Sequence, residues 1–166
     1  MPDITEEKLT ARFASRIVET SRAFNELGFI IDKSALSEIL QFLRDDPELQ
    51  YLHLSDVTAT DWPEREKRFE VVYHLYSFLL NRYLRFKIVV GENEQVPTLC
   101  GLWDTADWLE REVYDMFGVT FAGHPDLRRI LMWEEFEGHP LRRDFPLTYE
   151  MPQFTFNKDE PPEVIK

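Results

Sequence analysis

Sulfhydryl chemistry is nearly absent from this sequence: a single cysteine, Cys100, stands among 166 residues. One thiol cannot close an internal disulfide, ligate an iron–sulfur cluster by itself or form a Cys-x-x-Cys redox pair. Any electron transfer in which the protein takes part is therefore expected to run through other polypeptides. A long apolar run is missing as well. Near the middle, the longest stretch free of Asp, Glu, Lys and Arg is Val71 to Asn81. It contains His74 and falls far short of the ~20 apolar residues that carry a helix across a bilayer. The first residues include Asp3, Glu6 and Glu7 and offer neither a basic region nor an apolar stretch, so the chain is expected to stay where it is made. Neither G-x-G-x-x-G nor a P-loop pattern occurs, which leaves nucleotide binding without support.

Basic residues are also in short supply, 19 against 31 acidic ones, for a net charge of −12. A nucleic-acid binder presents the opposite surface, because its affinity comes from displacing counterions from phosphates. An anionic lipid surface would repel this chain too, so a protein partner is expected rather than a polyanion. What is abundant is aromatic: 13 Phe, 6 Tyr and 4 Trp. A single domain of this length buries only some of those rings, and aromatic residues are enriched at protein–protein contacts.

Residues 4–14 can form a short helix with Thr5 as its cap, and Phe29 to Asp32 suits a short strand. Leu36, Ile39, Leu40 and Leu43 then fall at i, i+3, i+4, i+7, one apolar helical stripe. Asp32 or Ser34 can cap that helix, and Asp45-Asp46-Pro47 ends it. Three strand candidates follow: Tyr51–Thr60, Arg68–Tyr76 and a run in which Leu84, Phe86, Ile88 and Val90 share one face. Short connections favour an antiparallel meander. Asp104 or Thr105 caps a further helix reaching Phe117, closed by Gly118. Six prolines punctuate the chain from Pro125 onward. The expected fold is α+β: helices packed on a small mixed or antiparallel sheet over residues 1–118, an irregular segment over 119–150 with at most one helical turn, and an extended tail over 151–166.

The informative stretch runs from Trp108 to Leu147, WLEREVYDMFGVTFAGHPDLRRILMWEEFEGHPLRRDFPL. On its helix, Ala106, Leu109, Val113, Met116 and Phe117 gather on one side at ~100° per residue and should face the sheet. Glu110 and Glu112 flank that stripe; Trp108, Arg111 and Asp115 lie on the far side, where Arg111 and Asp115 can pair across one turn. A large aromatic on an outer face is best explained if something covers it. Beyond the helix, Gly123-His124-Pro125-Asp126-Leu127-Arg128-Arg129 is echoed by Gly138-His139-Pro140-Leu141-Arg142-Arg143-Asp144. In both, Gly and Pro shape a turn that presents a His and two arginines suited to binding carboxylates.

This segment resembles the signature of the 30 kDa (C) subunit family of respiratory complex I, the NADH:quinone oxidoreductase. The signature is read here as Glu110-Arg111-Glu112, Asp115-Met116-Phe117, His124 and Arg128-Arg129, with Gly138 to Pro146 as the C-terminal block. The match covers about forty residues, a quarter of the chain; Trp133 stands where proline is expected. The resemblance implies membership rather than a reaction: a non-catalytic structural subunit of the hydrophilic arm, with no cofactor of its own, FMN and iron–sulfur clusters lying in other subunits. It implies a hetero-oligomer in which the chain sits beside the large D subunit and near the iron–sulfur-bearing B, I and G subunits, on the cytoplasmic side of the bacterial inner membrane without inserting into it. The interface candidates are Trp108, Arg111, Asp115, His124, Arg128, Arg129, His139, Arg142, Arg143 and Asp144.

Other readings compete weakly. A metal site built from His124, His139, Asp126 and Asp144 lacks short His-x-x-His spacing. An acid/base pair of Glu110 and Glu112 fails because neighbours on a helix diverge by ~100°. His53 and His74 fall in expected strands and are most simply structural. The remaining alternatives are the homologous subunit of a membrane-bound hydrogenase or ferredoxin-using complex, and a stand-alone enzyme binding an anionic substrate through the His/Arg loops.

Overall fold

The computed structural model describes residues 3–23 and 26–147. Helix α1 (Ile4–Phe13) is capped by Asp3, whose carboxylate accepts from the Thr5 N–H. Thr5, the cap expected from sequence, lies inside the first turn, and its hydroxyl is 3.1 Å from the Tyr51 hydroxyl. Strands β1 (Ile17–Ala23) and β2 (Glu26–Ile31) follow. A short 3-10 turn, Lys33–Ala35, is capped by Asp32 and leads into α2 (Leu36–Asp45). The meander then runs through β3 (His53–Asp61), β4 (Phe69–Ser77) and β5 (Arg82–Val90). Short β6 (Gln95–Pro97), helix α3 (Ala106–Phe117) and short β7 (Thr120–Ala122) complete the order.

The main sheet is ordered β1-β2-β5-β4-β3, with β2 parallel to β5 and the other pairs antiparallel. It is therefore mixed, as expected for an α+β fold. Every second residue of β5 from Leu84 to Val90 is buried, so the alternation read from sequence selects the core face. The three leucines and the isoleucine of the α2 stripe are fully enclosed in the same core, together with Leu9 and Phe13 of α1. Phe29 of β2 stacks on Phe86 of β5 with centroids 5.5 Å apart, which fastens the parallel junction between the hairpin and the meander.

Strands β1, β6 and β7 depart from the sequence reading. Strand β1 has no counterpart in it, because nearly all its side chains are exposed; an edge strand with no buried face carries no alternation. The segment after Gly118 also contains β7, which pairs in parallel with β6; the described residues 123–147 hold turns and bends but no helical turn. The expected tail over 151–166 lies outside the described residues.

The N-terminal end of α3 is anchored on the sheet edge. Trp103 Nε1 donates to the Leu52 carbonyl at 3.1 Å, beside β3, the edge strand opposite β1. Thr105 holds the cap position without a side-chain capping bond, and Gly118 closes the helix at φ +76°.

Phe86→Ala empties a fully buried ring site at the parallel junction and is expected to destabilise by about 3–5 kcal/mol. Val18→Ala on exposed β1, 72% accessible, should stay within about 0.5 kcal/mol. Thermal and denaturant melts of the two variants check the assignment of the core.

Candidate functional site

Helix α3 carries the signature, and the chain beyond it folds back along the helix. Both acids of interest are completely inaccessible: Glu110 and Asp115 each expose 0%. Sequence reasoning placed Asp115 on the outer face and Glu110 at the flank. The apolar stripe is as expected, but two loops without periodicity cover the polar side, which helical spacing cannot reveal.

Asp115 is the centre of the arrangement. Its Oδ2 accepts three consecutive backbone N–H groups, from Ile130 at 3.1 Å and from Leu131 and Met132 at 2.8 Å each. Its Oδ1 accepts from Arg129 Nη1 at 2.6 Å. Burial alone would raise this carboxyl's pKa; the Met132 N–H, the Arg129 guanidinium and the Leu131 and Ile130 N–H groups outweigh it and hold the pKa below the ordinary value. The other guanidinium arm of Arg129 donates to the Phe136 and Gly138 carbonyls at 2.8 and 2.9 Å. Arg111 does not pair with Asp115. Its guanidinium donates instead to the carbonyls of Arg128 and Arg129, at 3.2 Å each.

The two histidines of the repeated block take opposite ends of the helix. His124 Nε2 donates to the Asp107 carbonyl in the first turn at 3.1 Å, while its Nδ1 accepts from the Asp126 N–H. His139 Nδ1 donates to the Asp115 carbonyl at 2.9 Å near the helix end, and burial keeps that ring's pKa low. Arg142 Nε donates to the Phe117 carbonyl at 2.6 Å. The Asp115 and Phe117 carbonyls are among the helix-end carbonyls that lack intrahelical partners. Gly118 is required on two counts: its φ is positive, and a Cβ there would stand 2.5 Å from His139 Nε2.

A second fastening lies where β3 turns into β4. Asp61 at the end of β3 accepts both arms of Arg68 at 2.6 and 2.8 Å and the Arg143 N–H at 2.8 Å. Arg68 also meets Asp144 at 2.8 Å, and Arg142 meets Glu92 at the same distance. Arg68 holds the Asp61 and Asp144 carboxyls below their ordinary range. Nothing in the spacing of residues 61 and 68 flags them as partners of the distant Arg142-Arg143-Asp144 block.

Glu110 plays the same part for the preceding loop. Thr98 Oγ1 donates to its Oε2 at 2.6 Å and the Leu99 N–H to its Oε1 at 2.7 Å. No cation pairs with it among the described contacts, and burial raises its pKa. Potential ligand atoms of Cys100, Glu110 and His124 lie within 4.8 Å of one another. The His124 nitrogens and Glu110 oxygens already hold protein hydrogen bonds, so the cluster is accounted for as a polar network. The sequence-suggested set is not brought together, since His124 and His139 serve opposite ends of α3. Glu112 is exposed while Glu110 is enclosed, so these two do not converge.

Of the interface candidates, Arg111, Asp115, His124, Arg129, His139, Arg142 and, through Arg68, Asp144 therefore direct polar atoms into the chain itself. Trp108, Arg128, Arg143 and Asp144 remain exposed, Trp108 at 67%.

Comparison with known proteins gives a consistent picture. The profile of the family described as the 30 kDa subunit of respiratory-chain NADH dehydrogenase matches residues 29–151. The C subunit of the NADH-quinone oxidoreductase of Rhodopseudomonas palustris is 45% identical over 150 residues, 89% of this chain and 75% of that protein. Its counterpart in Mesorhizobium japonicum is 47% identical over 140 residues, 84% of this chain and 70% of that one. Among solved structures, a chain of the membrane-bound sulfane sulfur reductase, an archaeal respiratory membrane complex, superposes with a TM-score of 0.71 at 25% identity. That likeness covers 87% of this chain and 84% of the other.

The two buried acids predict contrasting mutants. Asp115→Asn puts an amide against the Arg129 guanidinium in an enclosed site and should cost about 3–5 kcal/mol, as breaking a buried pair does, measured by denaturant unfolding. Their pH dependences also have opposite signs. Asp115, with its pKa lowered by folding, stabilises above its ordinary carboxyl pKa and loses that contribution as pH falls. Glu110, with its pKa raised, stabilises at low pH and loses that contribution as pH climbs beyond its ordinary 4.5. Stability of Glu110→Gln relative to the wild type should therefore improve as pH rises from 4 to 7; a pH-independent difference would refute an upward shift of the Glu110 pKa on folding.

Proposed function

The chain belongs to the family of the 30 kDa subunit of respiratory-chain NADH dehydrogenase, and on that premise we propose that it is a structural subunit of the hydrophilic arm of an NADH:quinone oxidoreductase. In this reading it holds neighbouring subunits in place, while FMN and iron–sulfur centres in those subunits carry electrons from NADH to quinone. The supporting observation is the direction of the signature's polar groups. Glu110, Arg111, Asp115, His124, Arg129, His139 and Arg142 bind loop backbone, helix ends and one another. A constellation built for catalysis turns such groups toward a space where a substrate can sit; this one turns them toward its own main chain.

The partners on this reading are the large D subunit, which helps form the quinone pocket, and the adjoining B, I and G subunits. The exposed candidates Trp108, Arg128, Arg143 and Asp144 carry the contact, with the inward-facing residues shaping the loop that presents them. The chain itself contributes no electron-transfer cofactor and catalyses nothing alone. No helix among the described residues is long and apolar enough to cross a membrane, in keeping with peripheral attachment on the cytoplasmic side of a bacterial inner membrane. A sister-complex role has one observation behind it, the superposition on a sulfane sulfur reductase chain. The much higher identity to NADH-quinone oxidoreductase proteins ranks it second.

The test is affinity purification of the tagged full chain from mildly solubilised membranes of its source, with mass spectrometry and an NADH:quinone assay on the eluate. Flavin, iron–sulfur and quinone-pocket subunits with inhibitor-sensitive activity are expected. Subunits of a hydrogenase-type complex would move the chain to a sister assembly, and a solitary chain would overturn the reading.

A further inference from the structure

An open groove of about 480 Å³ runs between the start of β3 and the first turn of α3, lined by His53, Leu54, Ser55, Asp104, Thr105, Trp108 and Leu109. Its size is that of ordinary binding pockets, ~300–1,000 Å³. Trp108 forms one wall and is 67% exposed. The apolar surface continues beyond the groove: the His53 ring lies 6.0 Å from that of Phe78, which meets Tyr76 edge-on at 4.9 Å, and Tyr76 in turn packs on Tyr83. Phe78 and Leu52, next to His53 in the chain, are also largely exposed. Isolated exposed hydrophobics need no explanation, but a connected patch around a groove does.

The charge around the groove selects its occupant. Asp104 lines it, and none of the lining residues is Lys or Arg. Asp56, Asp107 and Glu112 sit beside the lining residues on β3 and α3 and face solvent wholly or in part. A second copy of this chain, at −12, is repelled. The chain's own residues 148–166 have suitable aromatics but carry Glu150, Asp159, Glu160 and Glu163 against Lys158 and Lys166, the wrong sign again. Resting on the subunit reading above, we propose that this groove is a docking site for a basic segment of a neighbouring subunit, in which apolar side chains fill the space beside Trp108 and flanking Lys or Arg residues meet the acidic rim. Trp108 and its surroundings then act as the desolvated anchor of the contact, and the rim charges set its orientation.

The experiment places the photo-crosslinking residue p-benzoylphenylalanine at position 108 of the tagged full chain, with position 64 in the hairpin loop as control. The assembled complex is irradiated in its native membrane and the crosslinked peptides are sequenced. Position 108 is expected to capture one segment of another subunit, net positive over about ten residues and containing apolar side chains. With the charge-reversing Asp104→Lys added, the yield should fall by about fivefold, as rim reversals weaken docking. A complex recovered intact with nothing captured from position 108, or with capture of residues 148–166, a second copy or an acidic segment, overturns the docking site and leaves the subunit reading standing. A control chain, labelled at position 64 with the groove intact, that purifies alone overturns the reading on which the docking site rests.

Discussion

One carboxylate organises the C-terminal third of the described chain. Asp115 gathers three successive backbone N–H groups and a guanidinium at a point fully removed from water. Residues 123–147 contribute few side chains to the core, Phe136 being the buried one among them, so hydrophobic burial does little to hold them. Their backbone needs polar partners once it packs against the protein, and α3 supplies them. Without the Asp115 carboxylate, the N–H groups at 130–132 would be left unsatisfied and Arg129 would lose its ion-pair partner. Arg111, His139 and Arg142 extend the same logic, each closing a carbonyl that the loop or the helix end leaves open.

The parts of the fold that were legible in sequence are those stabilised by periodic burial. The α2 stripe and the β5 alternation each map residue spacing directly onto one buried face. Strand β1 was illegible because it is an exposed edge, and β6 and β7 because three residues are too few to show a period. The signature was legible as a set of residues but not as a geometry. Spacing put Arg111 and Asp115 within reach of each other, yet each found a better partner in a more distant loop. The Asp61–Arg68 anchor had no local signal at all, since its role depends on Asp144 and the Arg143 backbone arriving from the far end of the chain.

Such an arrangement explains fixed spacing without catalysis. A helix advances ~1.5 Å per residue, so an acid that must meet three N–H groups of a returning loop, and histidines that must meet opposite helix ends, tolerate no insertion between them. Glycine at 118 is bound by the same constraint, because the space a side chain would occupy holds His139 and Arg142. Motifs of this kind look catalytic in a linear sequence, being rich in His, Arg, Asp and Glu. What separates the two cases is where each polar atom ends: on an open cavity, or on the protein's own backbone.

The separation of roles follows from the same geometry. Association is opposed by the loss of conformational freedom at the contact, about 0.5–1.5 kcal/mol for each flexible side chain immobilised. A loop already fastened by buried charges has surrendered that freedom on folding, so it can present its outward residues to a partner at little further entropic cost. Inward residues and outward residues then answer to different constraints: the first must keep distances within the chain, the second must match whatever lies opposite. On the subunit reading, the buried members of the signature belong to the first class, and its exposed Arg128 and Arg143, with the patch around Trp108, to the second.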